Sequence, residues 1–241
     1  LGDGAVQVIL RDISDRKKTE ELMLRSEKLS IAGQLAAGIA HEIRNPLTAI
    51  KGFLQIMQPE YKKHQQYFNI VFSELDRIEV ILSELLILAK PQEKKFKKAN
   101  MVTLLQDVAM LLETQANLNS VSIEQIHEEK DLSLFCDQNQ LKQVFINLFK
   151  NAIDAMPKGG NVKVHTKKQN GKIHIMVKDE GEGIPSELME RIGEPFLTTK
   201  EKGNGLGLMI TYKIIEDHNG TIVVDSKLNE GTTFIVELPL E

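Results

Sequence analysis

The stretch Gln143–Met156, QVFINLFKNAIDAM, decides how the chain is read. Val144, Leu148 and Ile153 recur at helical spacing, which predicts a helix with one apolar stripe. Asn147, Asn151 and Asp154 fall at i, i+4 and i+7 on the opposite stripe. Amides and a carboxylate in that file can coordinate a hard cation or contact phosphate oxygens, although an exposed polar face has the same pattern.

Two glycine-rich stretches lie further along. DEGEGIP (Asp179–Pro185) follows an apolar strand and sets Gly181 and Gly183 two apart, so backbone can approach a ligand beside a carboxylate able to accept from an amine. Alone, this is also an ordinary turn. GNGLGL (Gly203–Leu208) runs into the helical pattern LMITYKIIEDH, and a glycine turn at a helix start exposes N–H groups suited to phosphate. A flexible loop would read the same way. The order of the three, asparagine helix, Asp-Gly turn, glycine-rich helix start, is what chance does not supply.

Around them, 11 of the 16 glycines lie at or after Gly159, so the front of the chain reads as mostly helix. Val6, Val8 and Leu10 alternate like a strand end, with Asp12 or Ser14 placed to cap the helix that follows. From about Arg16 to Met57, Ala36, Ile39, Ile43, Leu47, Ile50, Leu54 and Met57 form a seam; Pro59 stops it. A second seam, Val71, Leu75, Ile78, Leu82, Leu85 and Ala89, runs to Pro91. A two-helix hairpin covers only one side of each stripe, which predicts a four-helix bundle formed by two copies, a homodimer.

The basic run Lys94, Lys95, Lys97 and Lys98 reads as a solvated hinge, a linker over 93–99. Beyond it, helices are predicted near 101–118, 138–155 and 205–217. Strands are predicted at 121–126, 132–135, 162–166, 173–178, 221–225 and 232–238. That order gives an α+β sandwich with helices on one face of a sheet.

Composition narrows the function classes. The 241 residues are 41% hydrophobic and 27% charged, with net charge −4, so no overall field draws the chain to nucleic acid or anionic lipid. No run approaches the length of a membrane span, which predicts no membrane contact by this fragment. Cys136 is alone and reads as core filler in a reducing compartment, a cytoplasmic fragment whose parent chain can still be membrane-anchored. Leu1 in place of Met suggests a piece of a longer polypeptide.

In this order, the Asn147–Asn151 helix, Asp179-x-Gly181-x-Gly183, EPFLTTK (Glu194–Lys200) and Gly203-x-Gly205-x-Gly207 resemble the N, G1, F and G2 boxes of the Bergerat-fold ATP-binding domain. GIAHEIRNPL (Gly38–Leu47) resembles the phospho-acceptor box of sensor histidine kinases. The resemblance runs over about residues 25–240 and is nearest the sporulation-type kinases of endospore-forming bacteria, the KinB-like group. It implies a PAS-like domain end and coiled-coil linker over 1–24, a dimerisation and phosphotransfer domain over 25–92, and a catalytic ATP-binding domain over 100–241.

What the resemblance implies can be set on residues. His41 is the phospho-acceptor, Glu42 the adjacent base, and Asn45 orients a water that dephosphorylates the partner regulator; Pro46 bends the helix just beyond. Asp179 reads the adenine amine, which selects ATP over GTP because GTP would leave a buried acceptor facing an oxygen. Asn147 and Asn151 hold Mg²⁺, with Lys150 and Lys200 near the triphosphate. Asp154, Gly181, Gly183, Ile184, Phe196, Thr199, Gly203, Gly205, Leu206 and Gly207 complete the site; Ile184 to Gly203 form a lid and Thr232 touches the adenine side. The implied partners are a response-regulator receiver domain and small antikinase inhibitors docking on the bundle. Water-hydrolysing ATPases of the superfamily, such as gyrase, carry a glutamate where this chain has Asn147, so the ATPase reading lacks its base. A silent dimeric scaffold is the alternative from another class.

Overall fold

The computed structural model describes residues 43, 45–58, 65–89, 95–200, 203 and 205–240; of residues 77, 80 and 83–89 only the backbone is described. The expectations for the strand at Val6, the helix before Ile43, His41 and Glu42 lie outside these residues. Two compact units divide the chain, Leu1–Pro91 and Gln92–Glu241.

In the first unit, helix α1 (45–57) and helix α2 (Gln65–Ala89) form the hairpin. Leu47, Leu75 and Leu82 make its core, with Leu54 and Phe72 packed against them. Each of the two seams divides: Leu47 and Leu54 of the first and Leu75 and Leu82 of the second are covered, whereas Ile43, Ile50, Met57, Val71 and Ile78 stay exposed. Lys51 bridges the helices, 2.7 Å from Asp76 and 3.0 Å from Glu79. Those hydrogen bonds hold its ammonium above the ordinary lysine value.

The second unit is a sandwich. Strand β1 (Lys97–Asn100) pairs antiparallel with β3 (Ser133–Cys136) beside a five-stranded sheet. That sheet is built from β2 (Val121–His127), β4 (Gly160–Gln169), β5 (Lys172–Lys178), β6 (Thr221–Lys227) and β7 (Gly231–Pro239), in the order β2-β4-β5-β7-β6. Among its neighbouring pairs, β2 and β4 are parallel and the other three are antiparallel. Inward positions alternate along the strands: Val162, Val164 and Thr166 on β4, Ile173, Ile175 and Val177 on β5, Phe234, Val236 and Leu238 on β7. Helices α3 (Met101–Leu118), α4 (Gln138–Asp154) and α6 (Gly207–Asp217) supply the rest of the core.

Local sequence explains the helix ends. Asn100 caps α3 by accepting from the Val102 N–H, and Asp137 caps α4 by accepting from Asn139 and Gln140. Along α4, Leu141, Val144, Phe145, Leu148, Phe149, Ala152 and Ile153 are buried at 3-4 spacing. Each large apolar side chain so buried contributes about 1.5–3 kcal/mol. Helix α6 ends in a Schellman turn, with Asn219 at φ 55° and the Gly220 N–H on the Ile215 carbonyl.

One expectation is corrected. Lys97 and Lys98, read as part of a hinge, lie in strand β1, paired with Cys136 and Phe135. Their ammonium groups are exposed while Ala99 is buried, so an edge strand carries the charge that composition alone suggested was a loop.

Candidate active site

Asp179 ends up 4% exposed where β5 gives way to the DEGEGIP turn. Its Oδ1 accepts from the Gly181 N–H at 2.9 Å and the Thr232 N–H at 3.1 Å. Its own N–H donates to the Thr232 carbonyl at 2.9 Å. Both side-chain bonds fall on one oxygen, so Oδ2 is the one that can meet a ligand. Burial pushes the carboxyl above the ordinary aspartate value, and the two N–H donors and the Lys200 charge oppose that shift. Gly183 has φ 69°, and any Cβ there would run into the Lys227 carbonyl. The glycine is therefore required by the fold of the turn itself.

Thr232, placed by the resemblance on the adenine side, lies beside Asp179. Its backbone holds Asp179, while its hydroxyl lies 2.9 Å from Ser226 Oγ. Ser226, which motif reading passes over, also accepts from the Ile184 N–H at 2.8 Å and donates to the Gly231 carbonyl at 3.1 Å. It thus ties the first residue of the expected lid to the strand behind Asp179. A serine in an alternating strand gives no sequence signal for this.

The second cluster forms where α4 and α6 meet. Asn147 Nδ2 donates to the Gly207 carbonyl at 3.2 Å, bringing the asparagine helix to the last glycine of GNGLG. A Cβ on Gly207 would reach only ordinary contact with the Asn147 amide, at 3.6 Å, so this glycine leaves open a space that the fold does not need. Lys200 Nζ reaches across to Asn151 Oδ1 and Asp154 Oδ2, each at 2.9 Å. A cation already sits on the oxygens that the helix spacing singled out. Lys150 and Thr199 are exposed and take no part in these bonds.

Between the clusters the chain makes a four-residue helix, α5 (Ser186–Met189), and then a loop closed by the Phe196 N–H on the Gly205 carbonyl at 3.1 Å. Phe196 is exposed and has φ 63°, a costly conformation for an aromatic residue. Gly205 has φ 69° and lies so close to the Phe196 backbone that no Cβ fits. Leu206 is buried at 1% exposure, and the Gly203 N–H donates to the Lys200 carbonyl at 3.1 Å. On the hairpin, Asn45 and Pro46 are exposed on α1.

Residues 31–94 match the His Kinase A (phospho-acceptor) domain, and residues 136–241 match the histidine kinase-, DNA gyrase B-, and HSP90-like ATPase domain. A structure of histidine kinase ThkA in complex with response regulator protein TrrA is 37% identical, with a TM-score of 0.65, over 96% of this chain and 68% of that one. The chain belongs to the histidine kinase family. Among curated relatives, sporulation kinase A of Bacillus subtilis is 63% identical over 99% of this chain and 40% of its own length. Sporulation kinase B of the same organism is 37% identical over 97% of this chain and 55% of its length. The KinB-like assignment is therefore too narrow; the resemblance to sporulation kinase A is greater. The chain spans about half, or less, of the length of these two relatives.

As a histidine kinase, the chain has the helical hairpin followed by the α+β ATP-binding sandwich that the sequence predicts. Among the described residues no helix is long and apolar enough to cross a membrane, and no His, Cys, Asp and Glu cluster forms a metal site.

Proposed function

We propose that this chain is the catalytic core of a sporulation-type sensor histidine kinase, which phosphorylates its own His41 from MgATP and passes the group to an aspartate of a response regulator. The observation that carries the reading is the pair of clusters on one fold. A buried carboxylate keeps one oxygen for a ligand, and an amide and carboxylate file already draws a cation. An adenine amine suits the first, and a metal-bound triphosphate the second.

The residues fit these groups. Asp179 Oδ2 offers an acceptor to the adenine amine, and the space over Gly207 beside the Asn147 amide lets a phosphate approach backbone. Asn147 and Asn151 would hold Mg²⁺, the hard oxygen donors that ion takes alongside water and phosphate. Lys200 would leave Asn151 and Asp154 for the phosphates. When bound, Mg²⁺ neutralises triphosphate charge so that phosphoryl transfer rests on positioning. Gly181 and Gly183 shape the adenine turn, Phe196, Thr199, Gly203, Gly205 and Leu206 belong to the lid and its base, and Lys150 stands free near the phosphate end.

His41 would attack as the neutral imidazole, with Glu42 taking its proton, and Asn45 would place the water for a separate hydrolytic step that dephosphorylates the partner regulator. The exposed apolar row Ile43, Ile50, Met57, Val71 and Ile78 is the surface a second copy would cover, giving the homodimer. The regulator would dock on the helices near His41, as would any small antikinase inhibitor. Residues 1–24 would carry signal from an upstream PAS-like domain.

Incubation with γ-labelled ATP and Mg²⁺ tests the reading. The wild type should take label and pass it to an added receiver domain, and His41→Gln should take none. Free labelled phosphate without labelled protein would support the ATPase reading instead; nucleotide binding with neither product would support the silent scaffold.

A further inference from the structure

Asp137 to Gln140 open α4 as Asp-Gln-Asn-Gln, a cap residue with a glutamine three positions on, the pattern of a capping box. In that motif the third residue's side-chain oxygen takes the N–H of the cap residue. Here the Asp137 N–H donates instead to His218 Nε2 at 3.1 Å, and Gln140 Oε1 is buried with no hydrogen-bond partner. The histidine thus holds the donor, and the acceptor that a capping box would offer it is left without a partner.

The histidine is built for that role. Its Nδ1 lies 2.7 Å from the Ile214 carbonyl, which can only accept, so the proton is on Nδ1 and Nε2 presents a lone pair. The ring is 4% exposed and stacks on Phe96, with centroids 4.8 Å apart and planes 16° from parallel. Asp137 holds the neighbouring residue too, its Oδ2 accepting the Lys95 N–H at 3.1 Å. Lys95 and Phe96 are the first described residues of the second unit, so the segment leading into it is clasped between the start of α4 and the end of α6.

Those two helices also build the candidate ATP site. They meet there through Asn147 and Gly207, and at the clasp through Asp137 and His218. The ten-residue step from Asp137 to Asn147 spans about 15 Å of helix. We infer that His218 is a positioning residue that couples the segment at Lys95–Phe96 to the nucleotide-binding helices, with Gln140 as the alternative acceptor that keeps α4 capped when the clasp opens. The inference rests on reading the Asn147–Gly207 junction as part of the ATP site. When Phe96 is pulled away the imidazole goes with it, Gln140 Oε1 takes the Asp137 N–H, and α4 changes its tie to α6 without losing its cap.

Amide hydrogen exchange on the whole chain, with and without MgATP, tests this. In His218→Ala, exchange at Lys95 and Phe96 should speed up about tenfold, the value of one hydrogen bond. The Asp137 amide should stay protected, because Gln140 replaces the histidine. Only His218→Ala combined with Gln140→Leu should expose Asp137, by more than the product of the single effects. His218→Gln, which can accept from Asp137 and donate to Ile214, should keep Asp137 protected and restore protection at Lys95, and it keeps the test open if the alanine variant does not fold. MgATP should slow Lys95 exchange in the wild type, and its affinity should fall about two- to thirtyfold in His218→Ala, because coupling is reciprocal. An Asp137 amide as exposed in His218→Ala as in the double variant would overturn the alternative-acceptor role. MgATP that binds without altering Lys95 exchange would overturn the coupling. Failure of the wild type to bind MgATP at all would instead count against the ATP-site reading, leaving the nucleotide-free exchange results to judge the clasp alone.

Discussion

Asp179→Asn exchanges one oxygen for an amide of nearly equal size at a position only 4% exposed. Oδ1 already serves the Gly181 and Thr232 N–H groups, so the asparagine carbonyl keeps that side and its NH₂ takes the other. An adenine amine would then meet a donor where it needs an acceptor. Losing a buried hydrogen bond to a charged group costs about 1.5–3 kcal/mol, so ATP affinity should fall about 10- to 150-fold. Stability should move the other way. Burial pushes the Asp179 carboxyl up, ahead of its two N–H donors and Lys200, so the folded chain holds that proton more tightly than the unfolded chain. Stability therefore declines as pH rises from the unfolded value to the raised folded one, and the deficit persists at neutral pH. The asparagine never ionises. Its unfolding midpoint at neutral pH should equal or exceed that of the wild type, with this pH dependence gone. ATP titration and thermal unfolding on the same samples decide the matter. Unchanged ATP affinity, or a loss of affinity matched by a collapse of the midpoint, would refute the reasoning.

Other residues give smaller tests. Lys200→Ala removes a half-exposed bridge and should shift stability by less than about 1 kcal/mol, while weakening ATP far more than adenosine in parallel titrations. Gly183→Ala meets both φ 69° and the Lys227 carbonyl, so it should destabilise by about 1–3 kcal/mol in denaturant unfolding. Burial pushes the Cys136 thiol up to about 11, with Asp137 adding to that and Lys97 opposing, so a thiol reagent at neutral pH should react only after denaturant unfolds the chain.

The parts of the fold that the sequence makes legible are those whose causes are local. Helix α4 carries its apolar stripe and its Asp137 cap within one stretch, and the predicted span 138–155 falls one residue from Gln138–Asp154. Strands β5 and β7 alternate cleanly enough to be placed within a residue or two. Strand β1 escapes because Lys97–Asn100 has little apolar pattern of its own; its partner is β3, distant in sequence, and only the paired backbone makes it a strand. The hairpin seam is legible as a seam, but which members face the second helix and which stay exposed depends on how the two helices are rotated.

The site divides in the same way. Asp179, Asn147 and Asn151 announce themselves by residue type and spacing. The bonds that hold them do not: Thr232 works through its backbone, Ser226 sits in a plain strand, and Lys200 meets Asn151 across 49 positions of sequence. His218 lies in the pattern EDHNG, where the Schellman turn is readable but the reach of its ring to Asp137 and Phe96 is not. Gln140 gives the one available hint, as the third residue of a capping box whose reciprocal bond is missing.

The central claim is that His41 accepts the γ-phosphoryl group, and the most direct measurement is the chemistry of the label. The chain is incubated with γ-labelled ATP and Mg²⁺, denatured, and divided between acid and alkali, beside His41→Gln treated alike. Label lost in acid, kept in alkali and absent from the variant is the predicted result, because a phosphorus–nitrogen bond on imidazole breaks when the ring is protonated. Label that survives acid, or that persists on His41→Gln, would place the phosphoryl group on another residue and contradict the account.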